Sequence, residues 1–182
     1  MPNWCSGTLL ITGPAADIKR FKDRASKGRK ILNENSFIPY PSKFKKLDQI
    51  AIKITDKRNK LIEKLISQDK ESEVAWKEAT EQIPFIKDGF NQGGHDWCIE
   101  HWGTKWGFCD PEITDESSEK LAYRFDTAWS PIISVIKKMG KMFPSLSFEY
   151  EFEEPGMDFS GYFVVEKGTV THQEYADCPQ RE

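Results

Sequence analysis

The sequence predicts an α+β protein, with one antiparallel sheet, helices on a single face of it and a helical insertion. Three observations predict it. Several segments alternate apolar and polar side chains, as strands with one wet face do. Between them lie stretches whose apolar residues recur three and four apart, the spacing of an amphipathic helix. The most highly charged helical stretch falls early, between the first strand and the rest.

Residues 4–12 read as the first strand: Cys5, Leu9 and Ile11 alternate with Ser6, Thr8 and Thr12. Gly13-Pro14 then opens a helix, since proline suits the first helical position. Ile18, Phe21 and Ala25 form its apolar stripe, and Gly28 is its expected stop. Pro39 and Pro41 hold FIPYP extended, as a connector. Residues 56–81 predict a charged helical stretch with Leu61, Ile62, Leu65 and Ile66 on one side, open to a break at SQDKESE and ended by Pro84.

After Gly93-Gly94, a short helix is expected over 95–102, stopped by Gly103. Thr104, Trp106 and Phe108 then alternate as a strand, followed by a polar loop, DPEITDESSE. Leu121, Tyr123 and Phe125 define a strand at 120–128. Ser130-Pro131 gives an N-cap and a first-turn proline, and Ile132, Ile136, Met139 and Phe143 carry the following helix to Pro144. The clearest alternation is at 146–153, with Leu146, Phe148, Tyr150 and Phe152 on one side and Glu149, Glu151 and Glu153 on the other. Pro155-Gly156 turns the chain into a last strand carrying Phe159, Gly161, Phe163 and Val165. This order best fits a ferredoxin-like sandwich. It assigns residues 1–170 to one domain, with an insertion at about 42–82 and a polar tail at 171–182.

Four spaced stretches carry a family resemblance: MPNWCSGTLLITG, DWCIEHWGTKW, FDTAWSP and FEEPGMDFSGY. Together they resemble the YubB-like family of phage- and plasmid-encoded proteins, which is described as having a ferredoxin-like domain. The positions that match are Trp4, Gly13, Trp97, Gly103, Lys105, Trp106, Phe125, Asp126, Thr127, Trp129, Pro131, Phe159 and Gly161. The resemblance implies the fold and a mobile-element origin, but it brings no activity, substrate or catalytic residue with it.

Composition narrows the function classes. Aromatics are 13% and charged residues 30% of the 182 residues, which suits a globular chain with a well-solvated surface. No apolar run approaches the roughly 20 residues of a bilayer span, and the N-terminus lacks a basic leader, so a cytoplasmic protein with no membrane partner is expected. Cys5, Cys98, Cys109 and Cys178 include no C-x-x-C pair, and free thiols are expected. Charge is segregated. Residues 14–64 carry 15 Lys and Arg against 6 Asp and Glu, whereas residues 65–182 carry 11 against 23.

The densest candidate site is HDWCIEHWGTKW. His95, Cys98 and His101, with Cys109 beyond, are metal-ligand types, but steps of three drift around a helix and no H-E-x-x-H is present. They also lie outside the family pattern, and neither metal nor cofactor is expected. Cys98 and His101 lack the oriented base and oxyanion site that a working thiolate needs. Lys105 and Asp126 predict a cross-strand ion pair or a polar pair beside a groove. Trp97, Glu100, Trp102, Lys105, Trp106, Asp126 and Trp129 make the candidate groove or structural motif.

For nucleic acid, the candidates are Lys19, Arg20, Lys22, Arg24, Lys27, Arg29 and Lys30, with Lys57, Arg58 and Lys60. Binding across the sheet is disfavoured, because Glu149, Glu151 and Glu153 repel phosphates. The leading expectation is a binding or accessory protein that contacts a host or mobile-element protein through the insertion. Nucleic-acid binding is the alternative, and a metalloprotein or enzyme comes third.

Overall fold

Backbone alternation and turn chemistry build a six-stranded sheet, ordered β2-β3-β1-β4-β5-β6 and antiparallel at every pairing. The computed structural model describes residues 3–178, so Met1, Pro2 and the last four residues of the expected tail lie outside it. The strands are β1 (Trp4–Thr12), β2 (Cys109–Glu116), β3 (Lys120–Ala128), β4 (Ser147–Glu154), β5 (Phe159–Glu166) and β6 (Thr169–Ala176). The helices are α1 (Ala15–Ala25), α2 (Ser42–Ile66), α3 (Ser72–Gln82), α4 (Gly94–Trp102) and α5 (Ile133–Met142). Two compact units divide the chain: Met1–Pro39 with Asp96–Glu182, and Tyr40–His95.

In the first unit, the order β2-β3-β1-β4 is the ferredoxin-like arrangement, which β5 and β6 extend. One face buries Leu9, Ile11, Tyr123, Phe125, Phe148, Tyr150 and Phe163 against Phe21 of α1 and Ile136 and Met139 of α5. The alternation in β4 falls as the sequence predicts. Phe148, Tyr150 and Phe152 are buried, while Glu149, Glu151 and Glu153 lie on the opposite, open face.

A cross-strand row shows how large rings fit. Gly7 stands opposite Phe125 on one side and Phe152 on the other, and Phe152 stands opposite Gly161. Large and small residues thus alternate, and the Phe152 ring packs against bare Gly161 while the Tyr150 side chain packs against bare Gly7.

The structure departs from several expectations. α2 begins at Ser42, not 56, because its buried stripe is Phe44, Ala51, Arg58 and Leu65, and an alanine and an arginine hide that stripe from a hydrophobic pattern. α1 ends at Ala25, before Gly28, and Ser26 is already extended. Ser130 does not cap α5; its hydroxyl donates to Gly103 O at 2.7 Å.

Residues 103–108 bend instead of forming a strand. Thr104 donates to Ala128 O at 2.7 Å, and the Phe108 N–H reaches the buried Glu34 carboxylate at 3.3 Å. The expected loop DPEITDESSE is mostly β2, paired with β3 through two register shifts. Lys120–Asp115 (2.6 Å) and Arg124–Glu112 (4.0 Å) ion pairs balance part of its charge.

The expected polar tail is a strand through Ala176. Lys167 (φ 48°) and Gly168 (φ 75°) form a two-residue turn with both residues left-handed, which suits a hairpin, and β6 pairs with β5 beyond it.

In the second unit, α2 and α3 enclose a small core of Leu65, Ala75 and Ala79, against which Leu61 and Ile62 pack. The guanidinium of Arg58 lies 3.6 Å from the Phe85 ring centroid and donates to Ile83 O at 3.4 Å. No helix among the described residues is long and apolar enough to cross a membrane.

Candidate functional site

The tryptophan-rich run forms a corner. Within α4, Trp97 stacks on His101 (4.4 Å between centroids, 13°) and meets Trp102 edge-on. Trp102 is buried, and its Nε1 donates to Ile38 O at 2.9 Å. Gly103 (φ 85°) ends the helix, its N–H reaching Cys98 O and Ile99 O. Glu100 is exposed and faces the His101 ring at 3.8 Å.

Beyond the glycine, the Lys105 ammonium sits 4.8 Å from the Trp106 ring centroid, and Trp106 lies 6.0 Å from Trp4. The expected Lys105–Asp126 pair does not form. Lys105 sits in the bend and not on a strand, and Asp126 accepts a hydrogen bond from Ser6 Oγ at 2.7 Å.

Trp129 adopts φ 72°, a left-handed conformation that a bulky side chain rarely takes. Its neighbours hold it there: Trp129 N–H donates to Asn3 O at 3.0 Å, and Thr127 Oγ1 donates to Ser130 O at 2.9 Å. Trp4, Trp106 and Trp129 are all exposed. Trp97, Trp102, Lys105 and Trp106 are therefore structural neighbours at one corner, whereas Asp126 lies on the open face of the sheet.

The metal-ligand types scatter. Cys98 is buried, His101 is half-exposed against Trp97, and His95 meets the Phe90 ring edge-on. Cys109 Sγ lies 3.6 Å from Gly107 O, and burial raises its thiol pKa. Among the described residues, no three His, Cys, Asp or Glu side chains gather to hold a metal.

The cationic candidates divide. Arg20 pairs with Asp17 (2.6 Å), Lys22 with Glu116 (2.5 Å) and Lys30 with Glu34 (3.7 Å), and Arg24 donates to Ser36 O. Arg58, expected among the phosphate-facing cations, is instead buried beneath Phe85 and is not exposed to meet a phosphate. Lys19, Lys27, Arg29, Lys57 and Lys60 are exposed.

The open face of the sheet supplies a feature that sequence reading missed. Pairing register places Glu112, Arg124, Thr8, Glu151, Tyr162 and Glu174 in one row. Asp126, Ser6, Glu153 and Ser160 form the row beside it. A groove of about 500 Å³ runs over these rows from Arg124 to Glu174 and Ala176. The Tyr162 hydroxyl donates to Glu149 at 2.6 Å, and that bond to a carboxylate raises the phenol pKa to about 12. The one available signal was Lys167-Gly168, which marks a hairpin into a sixth strand.

Residues 102–182 match a family model described as the ferredoxin-like domain in Api92-like protein. The match spans β2 through β6, which supply every strand of the groove except β1. The crystal structure of protein api92 from Yersinia pseudotuberculosis is similar at a TM-score of 0.53, over 100% of both chains. At 10% identity, this likeness speaks for the fold alone. A comparison with curated proteins finds no match.

Proposed function

We propose that the protein is a non-enzymatic accessory protein of a mobile genetic element, and that its helical insertion docks a protein partner. The observation that carries this reading is the apolar surface of the Tyr40–His95 unit. Ile50 and Ile52 of α2, Val74 and Trp76 of α3, and Phe85 and Ile86 beyond it are all exposed, Ile52 by 60% and Phe85 by 59%. Trp76 and Phe85 lie 6.0 Å apart between ring centroids, and large apolar groups exposed together on a small helical unit suit an interaction surface. The mobile-element setting rests on the YubB-like resemblance. The partner is a protein of the host or of the element, and docking requires neither metal nor cofactor.

The test is a pull-down from host lysate, with and without nuclease, using the native chain and an Ile52→Glu/Trp76→Glu variant. A nuclease-resistant partner captured by the native chain and lost by the variant supports the reading. Capture that the variant retains rejects this surface.

A second reading, nucleic-acid binding, is favoured by the exposed cations Lys19, Lys27, Arg29, Lys57 and Lys60. If all five met phosphates, log K would fall against log salt with a slope of about −4 to −5 on duplex DNA. Absence of binding at low salt removes this reading.

A further inference from the structure

The two edges of the sheet are built differently. β2 carries Pro111, a left-handed Asp110 (φ 45°), two register shifts and four carboxylates. Each of these blunts a strand edge against further pairing. At the other edge, β6 has no proline, no lysine and one carboxylate, Glu174. All eight of its residues are exposed, and after a single irregularity near Thr171 the stretch His172–Ala176 keeps regular register with β5. Among the described residues the sheet order ends there, so the outward backbone groups of β6 face no further described strand.

The two sides of β6 also differ. On the open face, His172 and Glu174 lie beside Val164 and Tyr162, at the end of a groove bordered by Glu151 and Glu153. The register puts eight carboxylates on this face (Glu112, Asp115, Asp126, Glu149, Glu151, Glu153, Glu166 and Glu174), with Lys120 and Arg124 as the cations, both at the β2–β3 end. On the helix side, β6 presents Val170 and Tyr175, both exposed.

We infer that β6 receives an extended segment of a partner protein as a seventh strand, one alternating Lys or Arg with Val or Ile. Main-chain hydrogen bonds to the unblunted edge hold the segment, and alternate side chains read the two faces. Because side chains alternate across a strand, the basic positions all fall on the open face near Glu174 and within the field of the other carboxylates. The apolar positions fall against Val170 and Tyr175. A segment with consecutive basic residues would place half of them on the apolar side. β6 and the insertion belong to different units of the chain, and neither reading depends on the other.

The probe is an acetylated, amidated peptide of four lysine-valine repeats, fluorescently labelled and titrated against the whole chain. Its control has the same composition in block order, four lysines then four valines. The expected result is that the alternating peptide binds about tenfold tighter than the block peptide and slows amide exchange in His172–Ala176. Glu174→Lys should weaken it about tenfold, and Val170→Lys/Tyr175→Lys should do the same; all three positions are exposed, so the fold is retained. Equal binding of both peptides with β6 amides unprotected would reduce the effect to diffuse charge attraction and overturn the proposal. So would a concentration-dependent dimer that protects the same amides, since a second copy would then hold the edge. Preferential binding of a single-stranded oligonucleotide at β6, or no peptide binding at low salt, would overturn it as well.

Discussion

Replacing Gly161 with alanine tests whether bare backbone beneath the rings holds the sheet together. A Cβ at residue 161 would lie 2.3 Å from Phe152 Cζ and 2.7 Å from Glu174 O. Both approaches are far inside ordinary contact, and the second is to backbone of β6, which cannot rotate away. Phe152 is itself confined, with Tyr150 at 5.2 Å and Tyr175 at 5.5 Å. Forcing a methyl group into such a site costs about 1–3 kcal/mol. Alanine recovers about 0.4–1 kcal/mol by restricting the unfolded chain. The net expectation for Gly161→Ala is a loss of about 1–2 kcal/mol, read as a lower urea midpoint with unchanged slope. Gly7→Ala should cost less, because the three atoms nearest its added Cβ, from 2.5 Å, all belong to the Tyr150 side chain and none to backbone. Adding Phe152→Leu to Gly161→Ala should recover part of the loss, a coupling of about 0.5–2 kcal/mol. A Gly161→Ala chain as stable as the native one would refute the large-small packing of this row.

Trp102→Phe removes the indole bond to Ile38 O and should cost about 1–2 kcal/mol by urea unfolding, leaving that carbonyl without its partner. Arg58→Ala strips the cation from Phe85 and should lower protection of α2 and α3 amides by about 1–3 kcal/mol in hydrogen exchange, with sheet amides unchanged. Tyr162 donates to Glu149, and its pKa of about 12 lies above the ordinary value near 10 for tyrosine. The stabilisation from this bond is therefore complete below about pH 10 and is lost as pH rises through 12. In Glu149→Gln, phenolate absorbance should titrate closer to the ordinary range; an unmoved midpoint would show that the bond does not set the shift.

How much of this was legible in the sequence depended on what each element asks of its side chains. β1, β3, β4 and β5 announce themselves because one face must be apolar and the other wet, so Phe148, Tyr150 and Phe152 alternate with glutamates. β2 and β6 do not. They are edge strands held by main-chain pairing to one neighbour, and neither buries an apolar face of its own. The start of α2 was hidden for a related reason: its stripe passes through Ala51 and Arg58, and arginine counts as polar until Phe85 is seen above it. Glu34 left no pattern at all. It is buried where the neighbouring Asn35 side chain and the distant Phe108 N–H converge on its carboxylate, and the second of these contacts joins segments far apart in sequence. The groove was half legible. Glu149, Glu151 and Glu153 were placed on the correct face, but Tyr162 and Glu174 join them only once β6 is known to pair with β5.

The charge segregation of the chain takes on meaning when its pairs are located. Lys22 reaches Glu116, Lys30 reaches Glu34, Lys120 reaches Asp115 and Arg124 reaches Glu112. Basic side chains thus cluster around β2 and the segment after α1, and offset the carboxylates on that side of the unit. Across the sheet the balance differs. Glu151 has no cation within ion-pair reach among the described residues, Glu149 accepts from a neutral phenol, and Glu174 has only His172 beside it, at 3.5 Å. Among the described residues, negative charge from Glu149, Glu151 and Glu174 is therefore concentrated over β4 to β6, next to the edge that carries no proline or lysine. A phosphate backbone approaching there would meet Glu149 and Glu151 of β4, Glu166 of β5 and Glu174 of β6, whereas a lysine-bearing strand would meet complementary charge and open hydrogen-bonding groups together. Ion pairs offset the charge on the β2 side of the sheet; the β6 side retains the charge that a cationic protein segment would neutralise.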